Sequence, residues 1–215
     1  YHVYNRGVEK RSLFVNHQDY ERFISGLIMF NDVKPVINTK QRIKDIKTGS
    51  HKRTPLVDIL TFCLMPNHYH LLLRQRTENG ITEFMRKLGD GYVKYFNLRH
   101  QRVGTLFQGK FKSVLVDDES QFLYIPFYIH LNPLDLNSPN WRERGIDETK
   151  KAIDFLDNYK WSSHSDYIGK IDFSLVVSKN FLENQFGNLF QYKKDFCDFI
   201  NDFDFSAADN SLILE

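Results

Sequence analysis

A chain of 215 residues, 41% of them hydrophobic, 15% aromatic and 26% charged, is long enough for one large domain or a domain with an appendage, and its composition is that of a globular protein. No apolar run approaches the ~18 residues of a membrane span, the first residues lack the apolar core of a secretion leader, and Cys63 and Cys197 share no paired spacing; the expectation is a cytoplasmic protein with no membrane partner, disulfide framework or cysteine zinc site. The net charge of +2 conceals a division, because residues 1–116 carry 20 Lys and Arg against 9 Asp and Glu while residues 117–215 carry 9 against 18, which points the first half toward a polyanion.

Tyr1 to Asn5 reads as a strand ended by Arg6-Gly7, and Asn16 to Asn31 follows with Tyr20, Phe23, Ile24, Leu27 and Ile28 at helical spacing. Residues 32–55 are rich in Lys and Arg, contain two prolines and show almost no apolar periodicity, so they read as a basic, mobile, solvated insertion. Val57 to Leu64 and Tyr69 to Arg74 are apolar runs joined by Met65-Pro66-Asn67-His68, the pattern of an antiparallel hairpin of central strands. From Ile81 to Arg102 the spacing of Ile81, Phe84, Met85, Leu88, Tyr92, Tyr95 and Phe96 predicts a long amphipathic helix, weakened in the middle by Gly89 and Gly91.

Lys110 to Val116 alternates as a further strand, and Asp117-Asp118-Glu119-Ser120 caps a helix that runs through Leu131 to Asn132-Pro133. Pro126 is expected to kink or restart that helix. The order strand, helix, strand, strand, helix, strand, helix predicts an α+β fold of split-βαβ type, an antiparallel sheet with helices on its faces. After a turn-rich connection, Lys150 to Asp157 and Lys179 to Asp202 read as helices of a C-terminal extension, and Phe203 to Glu215 shows no pattern.

Two features carry chemistry. His68 and His70 stand at i and i+2 of a strand, so both imidazoles point to one face and together offer half of a divalent-metal site. By itself the pair is also met by two histidines satisfied by water. Tyr128 and Asn132 stand four apart on one helical face, although Tyr128 alone is equally a packing aromatic and Asn132 a helix end. Joined, the two features describe a metal held by two histidines and an amide oxygen, polarising a phosphate that a tyrosine oxygen attacks. A free phenol has a pKa of about 10, so the cation must prepare the phosphate. Mixed nitrogen and oxygen ligation with open positions suits Mg²⁺ or Mn²⁺.

Four segments resemble the single-tyrosine HUH transposases, and most closely their REP-associated, IS200-like branch: Leu64-Met65-Pro66-Asn67-His68-Tyr69-His70-Leu71-Leu72-Leu73, Phe107-Gln108-Gly109-Lys110-Phe111-Lys112-Ser113, Tyr128-Ile129-His130-Leu131-Asn132-Pro133, and Tyr159-Lys160-Trp161-Ser162-Ser163 to Tyr167. With the opening strand they span roughly residues 1–170 as an ordered set. The resemblance implies a ferredoxin-like antiparallel sheet over residues 1–135, with the basic insertion at 32–55, and leaves 136–215 as an acidic, partly helical extension packed on it. It implies an enzyme that cleaves and rejoins single-stranded DNA near hairpins, REP-like repeats or element ends, as a monomer or a homodimer. Tyr128 would be the nucleophile, forming a 5′-phosphotyrosine, with His68, His70 and Asn132 as metal ligands.

Asn5, Arg6, Arg86, Lys87, Lys110 and Lys112 are the candidate DNA contacts, with Tyr92 as a possible stacking platform. Tyr124, one turn before Tyr128, is a rival nucleophile on spacing alone. The reading from another class is a hairpin-binding module or domesticated regulator without turnover.

Overall fold

The computed structural model describes residues 1–179, 181–182 and 187–202. The opening strand is β1 (His2–Arg6), one residue longer at its end than the alternation suggests. It is followed by α1 (His17–Met29), where Asn16 caps the first turn and Asp19 completes a capping box. Next come α2 (Thr39–Lys47), β2 (Val57–Met65), β3 (His68–Gln75), α3 (Gly80–Arg99), β4 (Lys112–Val114) and α4 (Glu119–Leu131). Asp118 caps α4 by accepting from Gln121 N at 2.9 Å. The strands form one antiparallel sheet in the order β2-β3-β1-β4, which is the ferredoxin-like arrangement expected for a split βαβ.

The two faces of the sheet have different tasks. Val3 and Tyr69 turn to one side, where Phe23 of α1 packs on Tyr69 and Tyr92 of α3 packs on Phe23, both at 5.0 Å between ring centroids. Tyr92 is buried there and donates to Leu13 O at 2.6 Å, so it is a core tyrosine and not an exposed stacking platform. His2, Tyr4 and Arg6 turn to the opposite side, in register with Leu72, His70 and His68 of β3. On that side α4 lies against the sheet.

The remaining chain closes the sheet. All nine residues of β2 are buried, although β2 is outermost in the strand order, because residues 161–163 pair with its edge. Leu64 N donates to Trp161 O at 2.8 Å and Ser163 N to Phe62 O at 2.9 Å. An uncovered strand edge invites association with other chains, and here the chain's own continuation occupies it. Beyond the 3-10 turn Asn132–Leu136 lie α5 (Trp141–Arg144), α6 (Thr149–Asn158), α7 (His164–Tyr167) and α8 (Leu189–Asp202). Tyr192 of α8 packs on Phe127 of α4, and its hydroxyl sits 2.7 Å from His130 Nδ1 and 2.9 Å from His164 Nδ1. His130 Nε2 in turn lies 2.7 Å from Ser163 Oγ. Burial holds the pKa of His130 well below the usual histidine range, so this network stays neutral and ties α4 to the β2 edge.

Several expectations are corrected. Residues 32–55 are not a bare solvated loop: they contain α2 and fold around the buried Asp32, whose carboxylate takes Arg42 at 2.8 Å and His51 at 2.6 Å. The basic residues that hid any periodicity are partly there to neutralise that acid. The strand expected over Lys110 to Val116 shrinks to three residues, since only His2, Val3 and Tyr4 of β1 pair with it. Helix α4 runs through Pro126 without a break; the residues around it are buried, and their packing outweighs one lost backbone bond. Of the helix expected over Lys179 to Asp202, Gly187 and Asn188 lie outside helix and Leu189–Asp202 is helical. Phe203 to Glu215 falls outside the described residues.

Two glycines of α3 separate propensity from packing. A Cβ on Gly91 would stand 2.3 Å from the Phe30 ring, whereas one on Gly89 would meet nothing within 4 Å. Gly89→Ala is expected to raise stability by roughly 0.5–1 kcal/mol through helix propensity. Gly91→Ala is expected to lower it by about 1–3 kcal/mol through overpacking. Urea unfolding of the two variants checks this, and shifts of the same sign and size would contradict the packing.

Candidate active site

The register of β1 on β3 builds the site. His68 and His70 are 8% and 2% exposed, at the turn end of β3 and opposite Arg6 and Tyr4. His68 Nδ1 lies 2.7 Å from Asn67 Oδ1, and since that oxygen only accepts, the ring carries its proton on Nδ1 and a lone pair on Nε2. His70 Nδ1 lies 2.9 Å from His2 Nε2, which leaves His70 in the same form when it donates. Both Nε2 atoms are buried without a hydrogen-bond partner.

Orphaned buried nitrogens are uncommon in folded proteins and call for a ligand or a functional reason. Burial, with help from the charges of Arg6 and Arg142, pushes the His68 pKa down to about 4. Burial, then the N-terminal amine, pushes that of His2 down to about 3. The imidazoles are therefore neutral near pH 7, the form a metal ligand requires. Among the described residues no three His, Cys, Asp or Glu side chains group as a metal site. The pair thus offers two nitrogens and leaves further positions to oxygen, a donor set that fits a hard cation with open coordination better than a closed zinc site.

The histidines open on a cleft of about 270 Å³, lined also by Tyr4, Asn5 and Arg6 of β1 and by Gln108, Gly109, Lys110 and Lys112. Asn5 pins the far wall: its Nδ2 donates to Gly109 O at 3.1 Å while its Oδ1 accepts from Arg6 N at 2.8 Å. Lys112 Nζ lies 5.9 Å from the centre of the Tyr4 ring. Four of the six candidate DNA contacts, Asn5, Arg6, Lys110 and Lys112, thus share one cleft with the histidines. Arg86 and Lys87 do not: they lie on α3, and Lys87 is engaged by Asp32 O at 2.7 Å and Glu83 at 2.7 Å.

Tyr128 sits beside this cleft, without lining it. It is 1% exposed, stacked on Tyr124 at 5.7 Å and edge-on to His2 at 6.4 Å. Tyr124 lines a different groove with Phe127 and Phe199, and burial raises its pKa further. Asn132 keeps company with Tyr128 as the four-residue spacing suggests, but through the backbone: its Nδ2 donates to Tyr128 O at 2.9 Å. Its Oδ1 accepts from Arg142 Nη2 at 3.0 Å.

His2, Tyr4, Gln108 and Arg142 went unrecognised in the sequence. Tyr4 and His2 share the parity of Arg6 in β1, a signal that becomes readable only once β1 is known to pair with β3. Arg142 lies in a turn-rich stretch with no periodicity to expose it.

Residues 29–132 match the family model described as transposase IS200 like. Over that span the chain is similar to the IS200-like transposases. The matched span holds β2, β3, α3, β4 and α4, and so includes His68, His70, Tyr128 and Asn132. Searches of curated proteins and of solved structures returned no match. An IS200-like transposase is a DNA-processing enzyme, DNA is its substrate class, and the family is generally metal-dependent. No helix among the described residues is long and apolar enough to cross a membrane.

The cleft predicts which cations meet DNA. Each phosphate contact removed from single-stranded DNA flattens the log–log salt dependence of binding by about 0.7. Fluorescence anisotropy should show that flattening for Lys110→Ala and for Lys112→Ala, and none for Arg86→Ala. Equal flattening by all three would contradict the assignment.

Proposed function

We propose that the chain is a metal-dependent single-stranded DNA transposase and endonuclease, cleaving and rejoining DNA beside hairpins of REP-like repeats or element ends through a 5′-phosphotyrosine at Tyr128. The observation that supports it most is the pair of buried, partnerless imidazole nitrogens in a cation-lined cleft of an IS200-like chain.

In this reading His68 and His70 would hold Mg²⁺ or Mn²⁺, and Asn132 is the candidate third ligand once its oxygen is shared with or released by Arg142. Such an ion neutralises charge on the scissile phosphate and lowers the cost of attack. Arg6, Lys110 and Lys112 bind the flanking phosphates, and His2 fixes the tautomer and aim of His70 from behind. The Tyr128 oxygen forms a bond to phosphorus as the bond from phosphorus to the 3′ oxygen breaks. The phenol proton ends on that 3′ oxygen, leaving a free 3′-hydroxyl. One ester replaces another, so a second 3′-hydroxyl can run the step in reverse without an external energy source.

The burial of Tyr128 favours one other reading, a hairpin-binding module or domesticated regulator without turnover. Denaturing gels separate the two. With labelled hairpin-bearing single-stranded DNA and Mn²⁺, the wild-type protein should give an SDS-resistant adduct that is lost in Tyr128→Phe and His70→Ala, lost with EDTA, and kept in Tyr124→Phe. Retarded DNA without any adduct across a broad hairpin library would support the binding module instead.

A further inference from the structure

Arg142 is ten residues beyond Asn132, on the short helix α5, with its side chain 14% exposed. Its guanidinium is gripped on several sides. One arm, Nη1, ion-pairs with Asp135 Oδ1, and the same carboxylate oxygen accepts Trp141 Nε1 at 2.6 Å. The plane lies 4.5 Å from the centre of the buried Trp141 ring. These contacts fix the guanidinium without reference to the site. From there it reaches to both residues of the tyrosine helix that the functional reading uses. Nη2 donates to Asn132 Oδ1 at 3.0 Å, and the carbon of the guanidinium stands 5.6 Å from the centre of the Tyr128 ring. The Tyr128 side chain also shares a hydrogen bond with it.

We propose that Arg142 is the positioning residue of the nucleophile: it holds the Tyr128 phenol and the Asn132 amide as one unit beside the histidine strands. The inference rests on the reading of Tyr128 as nucleophile. A planar fork bound by Asp135, stacked on Trp141 and shared with Asn132 is pre-organised, so holding the phenol costs little further ordering. Merely neutralising Asp135 would require one arm only. The second arm and the aromatic contact to Tyr128 are surplus to that task, and both are made to the residues whose mutual placement governs in-line attack. Misplacement of reacting groups by an ångström costs on the order of 10²-fold in rate.

A lysine keeps the charge but not the fork, so Arg142→Lys is the informative variant, with Arg142→Gln beside it. The first readout needs neither metal nor DNA: nitration of the free protein by tetranitromethane, with Tyr128 quantified by peptide mass spectrometry against the core tyrosine Tyr92. Both variants should raise nitration of Tyr128 several-fold relative to Tyr92 while the melting transition of Arg142→Lys stays close to wild type. The second readout is single-turnover adduct formation, expected to fall roughly 10- to 100-fold with hairpin affinity unchanged, and to fall less for Lys than for Gln. Unchanged Tyr128 nitration in a folded Arg142→Lys protein overturns the inference whatever the rate does, as does a wild-type rate in that variant. Should the wild type form no adduct while the variants still release Tyr128 to nitration, the catalytic reading fails and the holding contact alone survives.

Discussion

The register of β1 against β3 is the constraint on which the candidate site depends. Side chains alternate along a strand, so a slip of one residue would turn His2, Tyr4 and Arg6 into the α1 and α3 layer and bring the apolar Val3 to the histidine face. In the observed register His2 reaches His70 Nδ1, Tyr4 stands opposite His70, and Arg6 stands opposite His68. The same register sets the protonation pattern. Each Nδ1 is consumed by a neighbour, each Nε2 is left without a partner in the cleft, and burial keeps the rings neutral. Hydrophobic burial on the opposite face, through Phe23, Tyr69 and Tyr92, holds the register in place.

A second layer of restraint acts on α4. Toward the C-terminal side, His130 is locked between Ser163, which sits on the β2 edge, and Tyr192 of α8. Toward the cleft, Arg142 grips Asn132 and Tyr128 from α5. The acidic second half of the chain therefore does more than balance the charge of the first. It completes the β2 edge and clamps both sides of the helix that carries the candidate nucleophile. Residues 161–163 are hydrogen-bonded into the sheet itself, so the region beyond residue 135 takes part in the sheet's architecture.

Much of the fold was legible because its elements are strongly periodic: the β2–β3 hairpin, α3 and the capped α4 all stand close to where hydrophobic spacing puts them. The elements that were misread are those whose form is decided by distant partners. Helix α2 starts at the Asn38 cap and is tied to the core by Arg42 on the buried Asp32, a contact that apolar periodicity does not reveal. Pro126 is tolerated because the helix around it is buried, a tertiary effect that overrides a local rule. For the site, the parity of His68 and His70 and the spacing of Tyr128 and Asn132 were readable, since both follow from a single element's geometry. His2, Tyr4 and Arg142 were not, since each joins the site across the sheet or from a turn. For Arg86 and Lys87 the charge was visible in the sequence, and the face of α3 that places them away from the histidine cleft was not.

The central claim is that the partnerless Nε2 atoms of His68 and His70 are the protein part of a metal centre. Electron spin-echo modulation of the protein titrated with Mn²⁺, in the absence of DNA, tests it most directly by counting the imidazole nitrogens coupled to the ion. Two coupled nitrogens in the wild type, falling to one in either His68→Ala or His70→Ala, is the predicted result. Bound Mn²⁺ with no nitrogen coupling, or a coupling indifferent to both substitutions, would contradict the account.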